Sequence, residues 1–296
     1  MAEGSILVIG RTGQVAQALA HVGGASVTCL GRPDVDLKQP DTLARAIDLH
    51  GPVCVINAGG FTLVDQAEAE PDEARILNVD GPAALALACK AAGVPLIHLS
   101  TDCVFDGEMP RAYRPDDDPA PICTYGQTKL DGELAVADVY ARHLVVRVSW
   151  IFSPFGHNFV RTMLKLAQTR ERVSVVSDQI GCPTYAPALA AALLEMGRQA
   201  AVPGFADWGT YHLAGAGETN RASLARSIFA ESARHSGPVA EVDAIPTSAY
   251  PTPATRPLNA RLDITRTTDV FGVQLPDWQD GLAVTVPALI QEMAKS

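Results

Sequence analysis

Tyr125 and Lys129 stand four residues apart in Tyr125-Gly126-Gln127-Thr128-Lys129-Leu130-Asp131-Gly132-Glu133, at what reads as a helix start. In a helix that spacing puts both side chains on one face, about 5–6 Å apart at Cβ. An ammonium beside a phenol stabilises the phenolate, so Lys129 is expected to lower the pKa of Tyr125 toward a useful range. Upstream, the apolar run Pro95-Leu96-Ile97-His98-Leu99 ends at Ser100-Thr101-Asp102, where hydroxyl and carboxyl groups follow at once. With Thr101 converging on the same point, the three groups would hold a carbonyl oxygen and supply its proton. Such chemistry needs a hydride donor, and the elements before this stretch must bind one.

Ser5-Ile6-Leu7-Val8-Ile9 is a short continuous apolar run, the mark of a strand buried on both faces. It leads into Gly10-Arg11-Thr12-Gly13-Gln14-Val15-Ala16 and a helical pattern through Val15, Ala18, Leu19 and Val22. Strand, glycine turn and helix form the opening of a dinucleotide-binding unit, although the spacing is GxxGxxA rather than GxGxxG. The glycines allow a tight turn and close approach to a pyrophosphate, and the helix N-terminus supplies free N–H groups. A second strand, Ser26–Leu30, ends at Gly31-Arg32-Pro33. An arginine there can pair with a 2′-phosphate, so Arg32 leans toward NADPH; the alternative is a solvated loop arginine.

Asp34-Val35-Asp36-Leu37 then leads to a helix through Leu43, Ala46 and Ile47, and Val53–Ile56 is a third buried strand ending in Asn57-Ala58-Gly59-Gly60-Phe61-Thr62. Val64–Pro71 reads as a loop whose carboxylates form a solvated face, followed by a helix over Asp80–Ala92 and a fourth strand over Pro95–Leu99. A fifth, Leu144–Val148, ends at Ser149-Trp150-Ile151-Phe152. The alternation predicts an α/β fold with a doubly wound, mostly parallel Rossmann sheet, and ligands in such folds sit beyond the carboxyl ends of the strands. Gly10, Gly31, Gly60, Thr101 and Trp150 all fall there.

After Trp150 the strict alternation is lost. Helices are expected over Phe159–Gln168, Ala186–Arg198, Ser223–Ser236 and Gly281–Lys295, with strands over Val173–Val176 and Tyr211–Ala214. The proline-rich Pro246–Pro257 cannot be a regular helix or a central strand and is either a linker or, through its Tyr250 and Arg256, a lid over an anionic ligand. The expected organisation is a dinucleotide-binding domain over residues 1–150 and a smaller C-terminal, mainly substrate-binding lobe over 151–296 with segments returning to the first.

The formal net charge of −10 argues against a general nucleic-acid or anionic-membrane binder. No apolar run approaches the ~20 residues needed to cross a bilayer, and no secretory leader is evident. The six cysteines show no metal-ligand spacing and read as reduced core thiols, so the expectation is a soluble cytoplasmic protein, a monomer or homodimer.

The chain resembles the extended short-chain dehydrogenase/reductase superfamily and, within it, the dTDP-4-dehydrorhamnose reductase family. The resemblance is carried by Gly10–Val15, Val64-Asp65-Gln66-Ala67-Glu68, Ser100-Thr101-Asp102 with Val104–Gly107, Tyr125–Glu133, Arg147–Trp150, Asp178–Thr184 and Thr247–Pro257. It implies reduction of the 4-keto group of dTDP-4-dehydro-L-rhamnose by hydride from NADPH or NADH. Tyr125 would protonate the developing alkoxide, Lys129 would bind the nicotinamide ribose, Thr101 would bond the reacting oxygen, and Asp102 would contact the sugar. Trp150 would pack on the deoxysugar, with Asn158 and Arg256 along the diphosphate. Gly10, Arg11, Thr12, Gly13, Gln14, Val15, Asp36, Leu37, Gly60, Phe61 and Thr62 would line the cofactor.

Departures from the family pattern are Cys103, where an aromatic residue is usual, and Gly59-Gly60-Phe61 in place of an Ala-rich stretch. Some members hold Mg²⁺ through C-terminal carboxylates; Glu292 matches one such position, but its neighbours do not complete a set, and no metal site is expected. The alternatives are a reductase or epimerase acting on another nucleotide-6-deoxysugar, and a non-catalytic NADP-binding regulatory homologue. Intact Thr101, Tyr125 and Lys129 argue against the latter, and the segment around Arg256 favours the rhamnose enzyme.

Overall fold

Short runs of Ile, Leu and Val alternate with helices through the first half of the chain, and each run pairs with its neighbours in parallel. The computed structural model describes residues 4–295; residues 1–3 and 296, which the expected domain limits include, lie outside the described residues. Strand β1 (Ile6–Ile9) leads into α1 (Gln14–Gly23), β2 (Val27–Leu30) into α2 (Pro40–His50), and β3 (Cys54–Asn57) into two short helices, α3 (Val64–Ala69) and α4 (Pro71–Arg75). A π-helical turn, Ile76–Asp80, runs into α5 (Gly81–Ala92), followed by β4 (Leu96–Thr101), α6 (Thr124–Val139) and β5 (His143–Val148). Then come β6 (Ile151–Phe152), α7 (Phe159–Ala167), β7 (Arg172–Val176), β8 (Ile180–Gly181), β9 (Thr184–Tyr185), α8 (Ala186–Ala200) and β10 (Gly209–Leu213). The chain closes with β11 (Thr219–Asn220), α9 (Arg221–Arg234), β12 (Glu241–Ile245), β13 (Asn259–Ala260), α10 (Thr265–Phe271) and α11 (Trp278–Met293).

The main sheet has the order β10-β5-β4-β3-β1-β2, every pair parallel. Alternate residues of β1 face opposite layers, as a period of two requires. Ile6 and Val8 pack with Leu19 of α1 and Leu189 and Leu193 of α8, while Leu7 and Ile9 pack with Leu43 and Ile47 of α2 and Leu85 of α5. Both faces are covered, which is why β1, β3 and β5 are buried along their whole length. The order reverses between β1 and β3, and the crevice beyond their carboxyl ends is the topological switch point where such sheets take ligands. Gly10 and Ala58–Thr62 border it.

A second core lies in the C-terminal half, where Val160, Leu164, Ile228, Trp278 and Leu289 from α7, α9 and α11 pack with Val173 and Val175 of β7. β7 pairs in parallel with β12, a strand without clear sequence signal. α8 and β10 belong to the main sheet layer, with β10 pairing β5 and α8 packing on α1.

Residues 64–71, expected as a loop, fold as α3 and the first residue of α4. Buried Ala67 and Ala74 dock on Phe61, and Pro71 opens α4 where no intrahelical donor is needed. Helices of six and five residues carry too little periodicity to be seen in sequence. The C-terminal helix starts earlier than expected, at Trp278, because Asp277 caps it through the Gln279 N–H at 2.8 Å.

Candidate active site

β4 delivers Thr101 and Asp102 to the carboxyl edge of the sheet, both nearly inaccessible. The Thr101 hydroxyl donates to Asp102 Oδ1 at 2.8 Å and accepts the Cys103 N–H at 3.1 Å, so its orientation is held from both sides. α6 begins beside them. The Cys123 thiol caps the Gly126 N–H at 3.4 Å, and Glu68 of α3 accepts from the Thr124 N–H at 2.8 Å and the Thr124 hydroxyl at 2.6 Å. A carboxylate at a helix N-terminus is stabilising, and here it also fixes where the helix points. Asn78, fully buried in the π turn, ties the Phe61 backbone to Thr128 of α6 through three hydrogen bonds of 2.9–3.2 Å. Tyr125 and Lys129 are thereby set one turn apart on a helix anchored at both its start and its flank. A buried ion pair joins α6 to β5: Arg147 donates to Glu133 at 2.7 and 3.0 Å, with the two side chains 4% and 5% exposed.

The electrostatics differ from the sequence expectation. Burial pushes the Tyr125 phenol up, the neighbouring Cys103 and Asp102 push it further, and the nearby Thr101 hydroxyl pulls the other way. Lys129 does not lower it, because its Nζ is turned below the site and donates to Leu99 O at 2.6 Å. Burial brings Lys129 itself down to about 8, opposed by Glu133. Asp102 is raised by burial, against the Thr101 bond and the charge of Arg221.

On the other side of the crevice, Thr12, Gly13, Gln14 and Val15 line the cavity, and α1 starts there with no side-chain cap. Its first amides are free to meet an anion. Gly60 has φ +156°, and a Cβ on it would stand 2.9 Å from Asn78 Oδ1; one on Gly59 would crowd Leu37 at 3.2 Å. Glycine is therefore favoured at Gly60 by its backbone and by Asn78, whereas at Gly59 the Leu37 methyl would need to give way only slightly. Thr62 reaches the cavity, while Phe61 is buried against Ala67, Ala74 and Tyr125. Leu37 is buried too, and Asp36 accepts the Lys38 N–H at 3.0 Å. Arg32 is exposed at the end of β2, and Arg11 beside it pairs with Asp34.

The cavity has a volume of about 610 Å³ and brings together Thr101, Asp102, Tyr125, Trp150 and Arg256 with the glycine turn. Trp150 has φ +45°, a conformation that a bulky residue holds only when its surroundings impose it. Its carbonyl accepts the Thr184 N–H at 3.1 Å, and its ring lies over Gly181, where a Cβ would come within 2.6 Å. Arg256 is pinned to Asp65 of α3 by a bidentate pair, with Nη2 2.8 Å from Oδ2. Asn158 is not brought to the wall. Its amide donates to Ser153 O and Phe155 O, and its oxygen caps the Arg161 N–H at 3.1 Å. Glu292 is engaged by Arg161 at 2.7 and 2.9 Å, and among the described residues no cluster of three His, Cys, Asp or Glu side chains is arranged to hold a metal.

Sequence reasoning missed Asp65, Glu68 and Asn78, which position the site, and Gln179 and Arg221, which line it. Asp65 and Glu68 lay inside a quoted motif, but their partners are remote in sequence; Asn220-Arg221 at a helix start was the one local sign of Arg221.

The family described as RmlD substrate binding domain matches residues 4–291. The dTDP-4-dehydrorhamnose reductase of Sinorhizobium fredii is 41% identical over 290 residues, covering 97% of this chain and 98% of that protein; the enzyme of Escherichia coli K12 is 39% identical over 287 residues, covering 94% and 95%. The chain belongs to the dTDP-4-dehydrorhamnose reductase family. A solved reductase of this family from Bacillus anthracis, in complex with NADP, superposes with a TM-score of 0.88 at 29% identity, covering 96% of this chain and 99% of that one. The UDP-glucose 4-epimerase of Brucella ovis, at 19% identity and a TM-score of 0.78, shares the fold. Among the described residues, no helix is long and apolar enough to cross a membrane.

Proposed function

We propose that this chain catalyses NAD(P)H-dependent reduction of the 4-keto group of dTDP-4-dehydro-L-rhamnose to dTDP-L-rhamnose, a step of nucleotide-sugar and cell-surface polysaccharide biosynthesis. The observation that carries the reading is the meeting of Thr101, Asp102 and Tyr125 with the uncapped start of α1 in one cavity. The names of its relatives and the NADP bound by the Bacillus reductase support it.

The residues present fit a dinucleotide. Free amides at the start of α1 suit a pyrophosphate, and the open space at Gly13, where a Cβ would meet nothing within 4 Å, leaves room for it. Gly10–Val15, Asp36, Leu37 and Gly60–Thr62 would form the cofactor's walls, and exposed Arg32 would meet a 2′-phosphate, favouring NADPH over NADH. When bound, the nicotinamide supplies the hydride. Tyr125, holding its proton above neutral pH, gives it to the oxygen that gains negative charge. Thr101 turns its hydroxyl from Asp102 to the same oxygen, which puts a second donor where charge develops. Lys129 contributes positive charge beneath and a donor toward the ribose, Asp102 takes a sugar hydroxyl, and Trp150, its ring held between Gly181 and Arg221, packs against the deoxysugar with its apolar edge. Asn158 holds the Ser153–Phe155 turn, which leads into Gly156 and His157 on the cavity wall. The reading implies a cytoplasmic enzyme, monomeric or homodimeric.

Purified protein is given dTDP-4-dehydrorhamnose and NADPH, loss of reduced-nicotinamide absorbance is followed, and the product is identified. Consumption with formation of dTDP-L-rhamnose is expected. No consumption where a known reductase works would sink the reading, and formation of the talose epimer would sink its stereochemistry.

A further inference from the structure

Arg256, the arginine expected on the diphosphate, is largely committed within the protein: besides its bidentate pair with Asp65, its Nη1 donates to Ala254 O at 2.7 Å and Thr252 Oγ1 at 3.2 Å. Arg221 is the opposite case. It opens α9 behind the Asn220 cap and lines the same cavity. Its guanidinium carbon lies 3.6 Å from the centroid of the Trp150 ring and 5.2 Å from that of Phe159. Among the described residues its N–H donors meet no hydrogen-bond or ion-pair partner. Aromatic rings occupy the face of a guanidinium and leave its edge, where the five donors lie, free for an acceptor. The charged groups acting on it are Asp102 on the catalytic side and Arg256, paired with Asp65, on the other.

We propose that Arg221 is the phosphate anchor of the nucleoside diphosphate sugar, its free guanidinium edge taking the phosphoryl group next to the sugar ring. The assignment rests on the reaction proposed above, which sets the keto end of the sugar at Thr101 and Tyr125. Arg221 lines the same cavity as Thr101, Asp102 and Tyr125, and its charge acts on Asp102, so the phosphoryl end of a sugar seated there would lie within its reach. A chain with a net charge of −10 offers no favourable overall field to a diphosphate, and a local, unspent cation is what such a ligand needs. Arginine suits the task because its fork matches phosphoryl oxygens two at a time.

The test uses the full chain with thymidine diphosphate alone, measured by calorimetry, and with dTDP-4-dehydrorhamnose and NADPH in steady state. Arg221→Gln is expected to weaken thymidine diphosphate and raise KM for the sugar nucleotide by about 10- to 100-fold, the loss of a charge-assisted pair. Its kcat is expected within about threefold of wild type and its NADPH affinity unchanged, since an interaction equal in ground and transition states moves KM alone. Arg221→Lys should restore part of the affinity. Wild-type thymidine diphosphate affinity in Arg221→Gln, or a loss confined to kcat, would overturn the anchor and make Arg221 a positioning residue for Trp150. Should Arg221→Gln not fold, phenylglyoxal labelling of the wild-type protein decides: thymidine diphosphate is expected to protect Arg221, and labelling indifferent to it refutes the proposal. A wild-type protein that binds thymidine diphosphate through Arg221 yet reduces no dTDP-4-dehydrorhamnose keeps the anchor and discards the reaction.

Discussion

Replacing Gly132 with alanine should displace the helix that carries Tyr125 and Lys129. A Cβ at this position would stand 1.9 Å from the Asn78 carbonyl oxygen, whereas ordinary contact begins at 3.4 Å. The two backbones must therefore part by about 1.5 Å. Two effects oppose each other. Alanine in a helix interior is favoured over glycine by about 1 kcal/mol, while overpacking a filled interior costs about 1–3 kcal/mol. The second should win, because the obstacle is main chain and Asn78 is fully buried with its side chain bonded to Phe61 and Thr128, so it has nowhere to retreat. Gly132 is one turn beyond Lys129, and a shift of about 1 Å at reacting groups costs on the order of 10²-fold in rate. Gly132→Ala is expected to lose up to about 2 kcal/mol in denaturant unfolding and about 10²-fold in kcat, with thymidine diphosphate affinity largely kept. An alanine variant with wild-type kcat and an unchanged unfolding midpoint would show that the contact does not set the helix position. Gly126→Ala, whose Cβ would meet Cys103 O at 2.1 Å, should behave alike.

Tyr125→Phe should retain NADPH binding while kcat falls about 10²- to 10⁴-fold, the usual worth of a positioned general acid; retained turnover would remove Tyr125 from proton transfer. Lys129, brought down to about 8 by burial, carries its charge below that pH and loses it as pH rises through it. The profile of kcat/KM should accordingly fall above pH ~8, and Lys129→Arg, which stays protonated, should abolish that limb. A wild-type profile flat to pH ~9.5 would separate the ammonium from catalysis. Arg32→Ala should weaken NADPH about 10-fold or more and leave NADH nearly unchanged in titrations of both; equal weakening would take Arg32 off the 2′-phosphate.

The sheet was legible because its strands are short apolar runs that end in glycine or small polar residues, a local pattern. β1 and β3 could be read together with the Gly10–Val15 turn, and the ligand crevice follows from strand order alone. What escaped was long-range. Asp65 looked like part of a solvated face, yet its partner Arg256 lies 191 residues away, and Glu68 reaches Thr124 across 56. No local spacing distinguishes a carboxylate that positions a site from one that faces water. Arg221 escaped for the same reason, since its surroundings are assembled from β4, the β5–β6 turn and α7. Cys103 serves the site through its main chain, its N–H orienting Thr101 and its carbonyl sitting against Gly126, and its thiol donates to Asp102 Oδ1 at 3.7 Å.

The structure also changes how the tyrosine and lysine work together. Sequence spacing suggested an ammonium that draws the proton off the phenol, a state suited to oxidation, where tyrosinate must accept a proton. The described site does the reverse. Desolvation and the neighbouring Asp102 and Cys103 keep the proton on Tyr125, while Lys129 bonds to the Leu99 carbonyl and leaves the phenol alone. A phenol held protonated is the correct starting state for reduction, because the alkoxide formed by hydride addition is far more basic than any phenolate and takes the proton downhill. After transfer the tyrosinate is met by the Thr101 hydroxyl, the neighbour that pulls the Tyr125 pKa down. The electrostatics of the free site thereby favour the reductive direction before any ligand arrives.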